Sequence, residues 1–238
     1  MKNPFKKLNF KKLFGKKTTI VTLCALVIAV GAIIGFTALN RKGQIDLARN
    51  NLAEARFYMK QAQTDTLKIQ FYSGMREEPY EMNGIAEKTT AFAIINVDPK
   101  DSSLKEAHEL RGTIKIGEEL IEVTLDRNPY DKNFAADISR FVEVEKEITF
   151  TLFLSDTETP TFTLVNAMPE SAITWERALE IATERTADKL KEQKQFETYV
   201  KIISDLSTES GAFWYIQFVT TDGKTHFCVV APDGSVVG

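Results

Sequence analysis

The feature that most constrains this sequence is an uncharged, apolar run of 22 residues from Thr18 to Leu39. As a helix rising ~1.5 Å per residue, the run would be about 33 Å long, enough to cross the hydrocarbon core of a bilayer. A cleaved signal peptide has an apolar core of only ~7–15 residues and ends at small residues. This run is longer and ends on Phe36-Thr37-Ala38-Leu39, so it predicts an uncleaved transmembrane helix over 18–39.

Charge is distributed unevenly on the two sides of this run. The first 17 residues carry seven lysines and no acidic residue, whereas the residues after the run sum to −10 within a whole-chain charge of −3. The positive-inside rule then predicts a single-pass protein of the cell membrane, with a basic cytoplasmic tail at 1–17 and extracytoplasmic C-terminal domains. The lysines expected at the surface of the lipid bilayer are Lys6, Lys7, Lys11, Lys12, Lys16 and Lys17. Positive charge confined to one end argues against a nucleic-acid partner.

Two further features concern association and compartment. Gly31 and Gly35 form a GxxxG pattern, which lets transmembrane helices approach closely and predicts a homodimer as one oligomeric state. The two cysteines are Cys24, within the apolar run, and Cys228, near the C-terminus, so the outer part contains no internal disulfide. Secreted animal domains of this size commonly carry disulfides, so the cysteine content favours a bacterial cell envelope.

Residues 40–64 continue with a helical pattern. Apolar residues recur at spacings of three and four with charged residues between them, namely Ile45, Ala48, Leu52, Ala55, Met59 and Ala62. This spacing places them on one face and predicts a stalk helix. The apolar stripe either forms a short coiled coil or packs against the domain that follows, and alanine at half of its positions favours packing.

Residues 65–168 change to a strand pattern. Six short segments are rich in β-branched and aromatic residues and partly alternate, namely Leu67–Tyr72, Ala91–Val97, Leu110–Ile116, Leu120–Leu125, Ile148–Leu154 and Pro160–Val165. Gly117-Glu118 separates two of them as a hairpin turn. Six strands at this interval predict an antiparallel β-sandwich of the immunoglobulin or fibronectin type.

Residues 169–238 combine one helix with three strands. Thr174 is a suitable N-cap for a helix that begins at Trp175, with Glu176 in its positively polarised first turn. Strands are predicted at about 197–205, 212–220 and 225–231 by their alternating apolar residues.

The last two strands are predicted to form a hairpin. Asp222-Gly223 is typical of a two-residue type I′ turn, which would place Phe218 opposite Phe227 on the face that the helix covers. The opposite face would carry Tyr215, Gln217 and His226. Aromatic anchors and exposed strand edges are common recognition devices, so these three residues are the predicted binding residues.

This C-terminal segment resembles a PepSY domain. The resemblance rests on a helix beginning TWERALEIA, on the strands FWYIQF and HFCVV, and on a terminal PDGSVV that supplies Ala231, Asp233, Gly234 and Val236-Val237. It covers about Ser171 to Gly238. It implies a small module of one helix and an antiparallel sheet that acts by binding, including peptidase inhibition, without catalytic residues. The predicted fold class is therefore α+β: a transmembrane helix, a β-sandwich and a PepSY-like module at 169–238.

Two pairs of residues match parts of known catalytic arrangements. His226 and Cys228 lie two apart on one strand and therefore on one face, but no third orienting group accompanies this thiol and imidazole. Ser102 and Lys105 match the S-x-x-K motif of penicillin-binding proteins, but the K-T-G motif that should follow is missing. The sequence contains no HExxH, G-x-S-x-G or CxxC motif, so no catalytic residue, metal site or cofactor is predicted.

The favoured function is therefore non-catalytic. The sequence predicts a membrane-anchored protein that binds or regulates an envelope enzyme, such as a peptidase or a cell-wall synthase. One alternative is an envelope hydrolase that uses Cys228 with His226 or Ser102 with Lys105. A second alternative is a structural spacer in an envelope assembly.

Overall fold

The computed structural model of the chain describes residues 41–100, 102–129, 132–143, 145–155, 157–204 and 211–237, apart from the side chains of Ser102 and Ser103. Within these ranges, no helix is both long enough and apolar enough to cross a membrane. This finding goes against the predicted single-pass membrane protein with extracytoplasmic domains. The predicted span at 18–39, with Gly31 and Gly35, and the basic tail at 1–17 lie outside the described residues.

The described chain is dominated by strands. Helical residues 41–50 form α1 and are followed by β1 (Leu52–Gln63), β2 (Leu67–Glu77), β3 (Thr89–Pro99), α2 (Ser102–Lys105), β4 (Glu109–Ile116), β5 (Glu119–Arg127), β6 (Phe134–Ile138), β7 (Ile148–Phe153), β8 (Thr161–Asn166), α3 (Trp175–Leu190), β9 (Phe196–Ser204), β10 (Ala212–Thr220) and β11 (Thr225–Val230). All eleven described strands belong to one sheet, in the order β11-β10-β9-β1-β2-β3-β6-β5-β4-β7-β8.

Eight of these strands close into a barrel. The sheet curves from β1 to β8, and Lys60 pairs with Asn166 and Gln61 with Val165 to join the two ends. Alternate residues of the barrel strands form one apolar cluster, in which Phe71, Phe134 and Phe150 are fully buried. This alternation is what a strand requires when one of its faces lines a core.

The other three strands are β9, β10 and β11, which continue the sheet from β1. Together with α3 they form a region that we call the wing. Strand β9 pairs in parallel with the first half of β1, and β10 and β11 follow in antiparallel pairs. Helix α3 covers one face of the wing through Ala178, Leu179 and Ala182, which are fully buried. Thr174 caps α3, because its Oγ1 accepts the Arg177 N–H at 3.4 Å, as predicted.

The predicted fold class is wrong. The strands at 65–168 do not form an immunoglobulin- or fibronectin-like sandwich, because they close into a barrel with β1. The helix and three strands at 169–238 are present, but they do not form a separate PepSY-like module, because β9 hydrogen-bonds to β1. Strand β1 takes part in both regions. It replaces the second half of the stalk helix predicted over 40–64, whose first half is helical at 41–50.

A bulge in β1 sits where the wing meets the barrel. The register with β2 shifts between Arg56 and Tyr58, which leaves Phe57 as the extra residue. Gly74 of β2 lies opposite this bulge, and a Cβ atom on it would stand only 1.8 Å from the carbonyl oxygen of Ala55. Glycine is therefore required there by the close approach of the two backbones.

The hairpin of β10 and β11 is one residue out of the predicted register. Phe218 faces His226 and not Phe227, and Ile216 faces Cys228. The turn has three residues, since Thr220 N–H donates to the Lys224 carbonyl at 2.9 Å and Gly223 has φ +77. This is the three-residue hairpin with a left-handed last position. Because strand faces alternate, the shift moves every side chain of β11 to the other face.

Candidate functional site

The predicted binding residues do not share one face. Tyr215 and Gln217 lie on the wing face away from α3, where Val229 and Phe227 are their partners on β11. Phe227 is 55% exposed, and its ring stacks on that of Tyr215 at 5.8 Å. His226 lies opposite Phe218, on the other face. The shifted register therefore separates His226 from Tyr215 and Gln217.

Cys228 is enclosed by the core. It has no exposed surface and belongs to the apolar cluster beneath α3. Burial raises the pKa of its thiol, which disfavours the thiolate needed for nucleophilic attack. This environment argues against a catalytic pair of Cys228 and His226. Lys105 ends the four-residue helix α2, and the side chain of Ser102 lies outside the described residues, so the Ser102–Lys105 hypothesis stays a prediction.

An apolar groove lies beside the N-terminus of α3, where the barrel and the wing separate. Strand β1 pairs with β9 through its first half and with β8 near its end, so the two partners diverge along β1. The space between them holds a cavity of about 340 Å³. Its lining includes the large apolar side chains of Phe57, Met59, Met168, Ile173, Trp175, Ile202 and Trp214. We call this cavity the groove.

The aromatic walls of the groove are fixed by their contacts. The ring of Phe57, the bulge residue, lies 5.4 Å from Trp175 and 5.7 Å from Phe141. The indole N–H of Trp214 donates to the Ile173 carbonyl at 3.2 Å. Both tryptophans of the chain line this one cavity. Trp175, the first residue of α3, is only partly buried and faces the groove.

The rim of the groove carries negative charge. Glu170 is exposed and Glu176 is partly exposed, and both line the cavity. Neither carboxylate has an ion-pair partner among the described side chains. The groove thus joins an aromatic and methionine-rich floor to an acidic rim. Methionine side chains adapt to varied apolar partners, and partly exposed tryptophans are typical anchors of protein interfaces.

A charged network occupies the opposite face of the sheet where β1 meets β9, a place that we call the junction. Glu54 is 3% exposed and accepts from Arg56 Nε at 2.5 Å and from the Tyr80 hydroxyl at 3.0 Å. Lys201 Nζ lies 3.2 Å from the second Glu54 oxygen. Burial acts to raise the pKa of Glu54, but the charges of Arg56 and Lys201 outweigh it, so this pKa is lowered.

The junction also contains a second buried network, which binds the segment 78–88. This segment connects β2 to β3, and we call it the strap. Glu197 is fully buried and accepts the Asn83 N–H at 3.2 Å, and Glu77 accepts the Glu87 N–H at 3.1 Å. The Tyr199 hydroxyl lies 2.9 Å from Glu197 and 3.5 Å from Glu77. Burial raises the pKa of Glu77, and the Glu197 carboxylate adds to this shift.

The carboxylates of both networks are engaged by neighbouring protein groups. Each carboxylate of the junction is occupied by hydrogen bonds to neighbouring groups and is closed to solvent. Within the described ranges, no group of three or more His, Cys, Asp or Glu side chains could hold a metal ion. The junction networks therefore hold the strap and the wing in place.

Comparison with known proteins adds no relative. No protein-family model matches the chain. No curated protein matches it, and no solved structure matches it.

Proposed function

We propose that the chain is a non-catalytic binding protein whose groove holds an apolar side chain of a protein partner, flanked in the partner by Lys or Arg. The observation that carries this proposal is the convergence of both tryptophans, Phe57 and two methionines on one open cavity of about 340 Å³. A cavity of this size takes one or two large side chains and is at the small end of ligand sites.

The charge of the molecule supports a basic partner. Glu170 and Glu176 stand at the rim, and the residues after Leu39 sum to −10. Opposite charges around a shared apolar contact accelerate encounter and select the partner. The earlier expectation that the partner is an enzyme, such as a peptidase or a cell-wall synthase, remains a proposal within this one.

Tryptophan fluorescence tests the proposal, because the only two tryptophans report directly on the groove. The probes are synthetic peptides with one central leucine or phenylalanine between lysines, compared with the same peptides flanked by glutamates. We expect the lysine-flanked peptides to shift the emission and to bind about tenfold more tightly than the glutamate-flanked ones.

Matched variants locate the binding. Met168→Lys adds a charge in the groove, whereas Val165→Lys adds the same charge at an exposed position of β8 that does not line it. We expect Met168→Lys to abolish the emission shift and Val165→Lys to preserve it. Equal binding of the lysine-flanked peptides by the two variants would refute the proposed occupant. An emission shift with fatty acids but not with the peptides would refute it as well.

A further inference from the structure

The barrel is closed unevenly: the ladder between β5 and β6 has only two residue pairs, as does the ladder between β1 and β8. We call the β5–β6 contact the seam. Strand β5 pairs with β4 along eight residues, from Glu119 to Asp126. On its other edge it pairs with β6 only through Asp126–Ala135 and Arg127–Phe134. Among the described residues, 119–125 therefore have no strand partner on the side away from β4.

The seam is an opening with two closed ends. One end is the short β5–β6 ladder, and the other is a bridge in which Arg140 Nη1 donates to both Glu119 oxygens at 2.9 and 2.8 Å. Between these ends lies a cleft of about 550 Å³. The ion pair links the start of β5 to the segment that follows β6 and adds no residue pair to the ladder.

The cleft offers the features that an added strand requires. Ile121, Val123 and Ile138 line it beside the unpaired backbone edge of β5. Free N–H and C=O groups on a strand edge pair readily with another extended chain, and alternate side-chain pockets give selectivity. At ~3.3 Å per residue, the seam accommodates about six residues of such a chain.

The charges at the seam identify the kind of partner. Asp137 is paired with Arg76, and Glu119 is paired with Arg140. Glu122 and Asp126 also line the cleft or its closed end, are exposed, and have no ion-pair partner among the described side chains. The edge therefore presents two unneutralised carboxylates next to unpaired backbone groups.

We infer that the seam is a strand-addition site for an extended, basic segment of a partner protein, distinct from the groove. The partner segment pairs its backbone with residues 120–124 and places lysine or arginine side chains against Glu122 and Asp126. Acidic side chains on an edge strand also repel a second copy of the same edge, which keeps the site open to a partner of opposite charge.

A labelled octapeptide of alternating lysine and valine serves as the probe, on the Met168→Lys chain, whose added charge excludes the valines of the octapeptide from the groove. We expect saturable binding by fluorescence anisotropy, with slowed hydrogen exchange confined to peptide fragments covering 119–125. The same octapeptide with alternate N-methylated amides keeps its charge but loses strand pairing, so it should bind about tenfold more weakly. Equal binding by the methylated peptide would mean charge attraction only and would overturn the inference.

Charge-matched variants complete the test. The double variant Glu122→Lys, Asp126→Lys should weaken octapeptide binding about tenfold at low salt. The double variant Glu106→Lys, Glu158→Lys changes the net charge equally at exposed positions away from the cleft and should bind like the parent chain. Protection of 119–125 by the octapeptide should be the same in the chain with native Met168 as in the Met168→Lys chain, which separates this site from the groove. Protection of 119–125 that grows with protein concentration and without peptide would assign the seam to a second copy and refute the inference.

Discussion

The barrel interior and the junction are both buried, but they are built from different chemistry. Phe71, Phe134 and Phe150 have no exposed surface and are surrounded by other apolar side chains of the barrel. At the junction, the residues that are at most 3% exposed include three carboxylates, Glu54, Glu77 and Glu197. One continuous sheet therefore has a part held by apolar burial and a part held by charges and hydrogen bonds.

This difference separates two kinds of stability. Burying apolar surface contributes about 25 cal/mol per Å² whatever the protonation state of the chain. The junction contributes through groups whose protonation differs between the folded and unfolded chain, so its contribution changes with pH. The junction also joins the wing and the strap to the barrel. Changes of pH should therefore act first on the strap and the wing, and later on the barrel.

The largest expected effect comes from emptying the barrel core. Phe150→Ala removes a fully buried ring and leaves a cavity inside the barrel, which should lower the free energy of unfolding by about 3–5 kcal/mol. Urea unfolding followed by circular dichroism measures this loss. The loss should be equal at acidic and neutral pH, because no titrating group is involved. A strong pH dependence would contradict the proposed division between barrel and junction.

Glu54→Gln tests the charged part of the junction. It leaves Arg56 and Lys201 without their shared carboxylate and should cost about 2 kcal/mol of unfolding free energy at neutral pH. The folded pKa of Glu54 is lowered, so its contribution is present above the unfolded pKa and is lost as the pH falls through the folded pKa. Urea titrations should therefore show the cost shrinking below about pH 4. A cost that persists unchanged in acid would show that the charge is not responsible.

The sequence predicts the local elements of this molecule better than their assembly. All six strands expected between 65 and 168 are present, because each alternates and ends at a turn residue. The helix start at Trp175 is confirmed because the Thr174 cap is a local signal. Strand β1 was missed because its bulge at Phe57 breaks the alternation, which leaves apolar residues at helix-like spacings.

The site residues depend on pairings between distant parts of the chain. Glu54 and Lys201 meet because β9 pairs in parallel with β1, and the strap brings Tyr80 onto them. No spacing in the sequence carries this information. The groove was missed for the same reason, since it exists only where β8 and β9 diverge from β1. The one-residue error in the last hairpin followed from reading Asp222-Gly223 as a two-residue turn.

Glu77→Gln should raise the free energy of unfolding, whereas Glu54→Gln should lower it. Burial raises the folded pKa of Glu77, so the stability from its neutral form is present below the unfolded pKa and is lost as the pH rises through the folded pKa. Glutamine stays neutral and can still accept the Glu87 N–H. The variant should match the parent at about pH 4 and exceed its unfolding free energy by about 1 kcal/mol at slightly alkaline pH. Urea titrations across this range measure the difference, and a variant less stable than the parent at alkaline pH would refute it.

Tyr80→Phe should have the smallest effect on stability and a local effect on motion. The Tyr80 hydroxyl donates to Glu54 at 3.0 Å and accepts from Lys201 at 3.1 Å, so it ties the strap to the junction network. Tyr80 is 44% exposed, so loss of its hydroxyl should lower the free energy of global unfolding by only about 0.5 kcal/mol. The strap should open more often because the Tyr80 hydrogen bonds are lost. It should still close again, because the Asn83 and Glu87 N–H groups keep their bonds to the buried carboxylates. Hydrogen exchange should therefore accelerate in fragments covering 78–88 and stay unchanged in β4 and β7. Equal acceleration in those barrel strands would mean that the strap and the barrel open together, and the two regions would then form one cooperative structure.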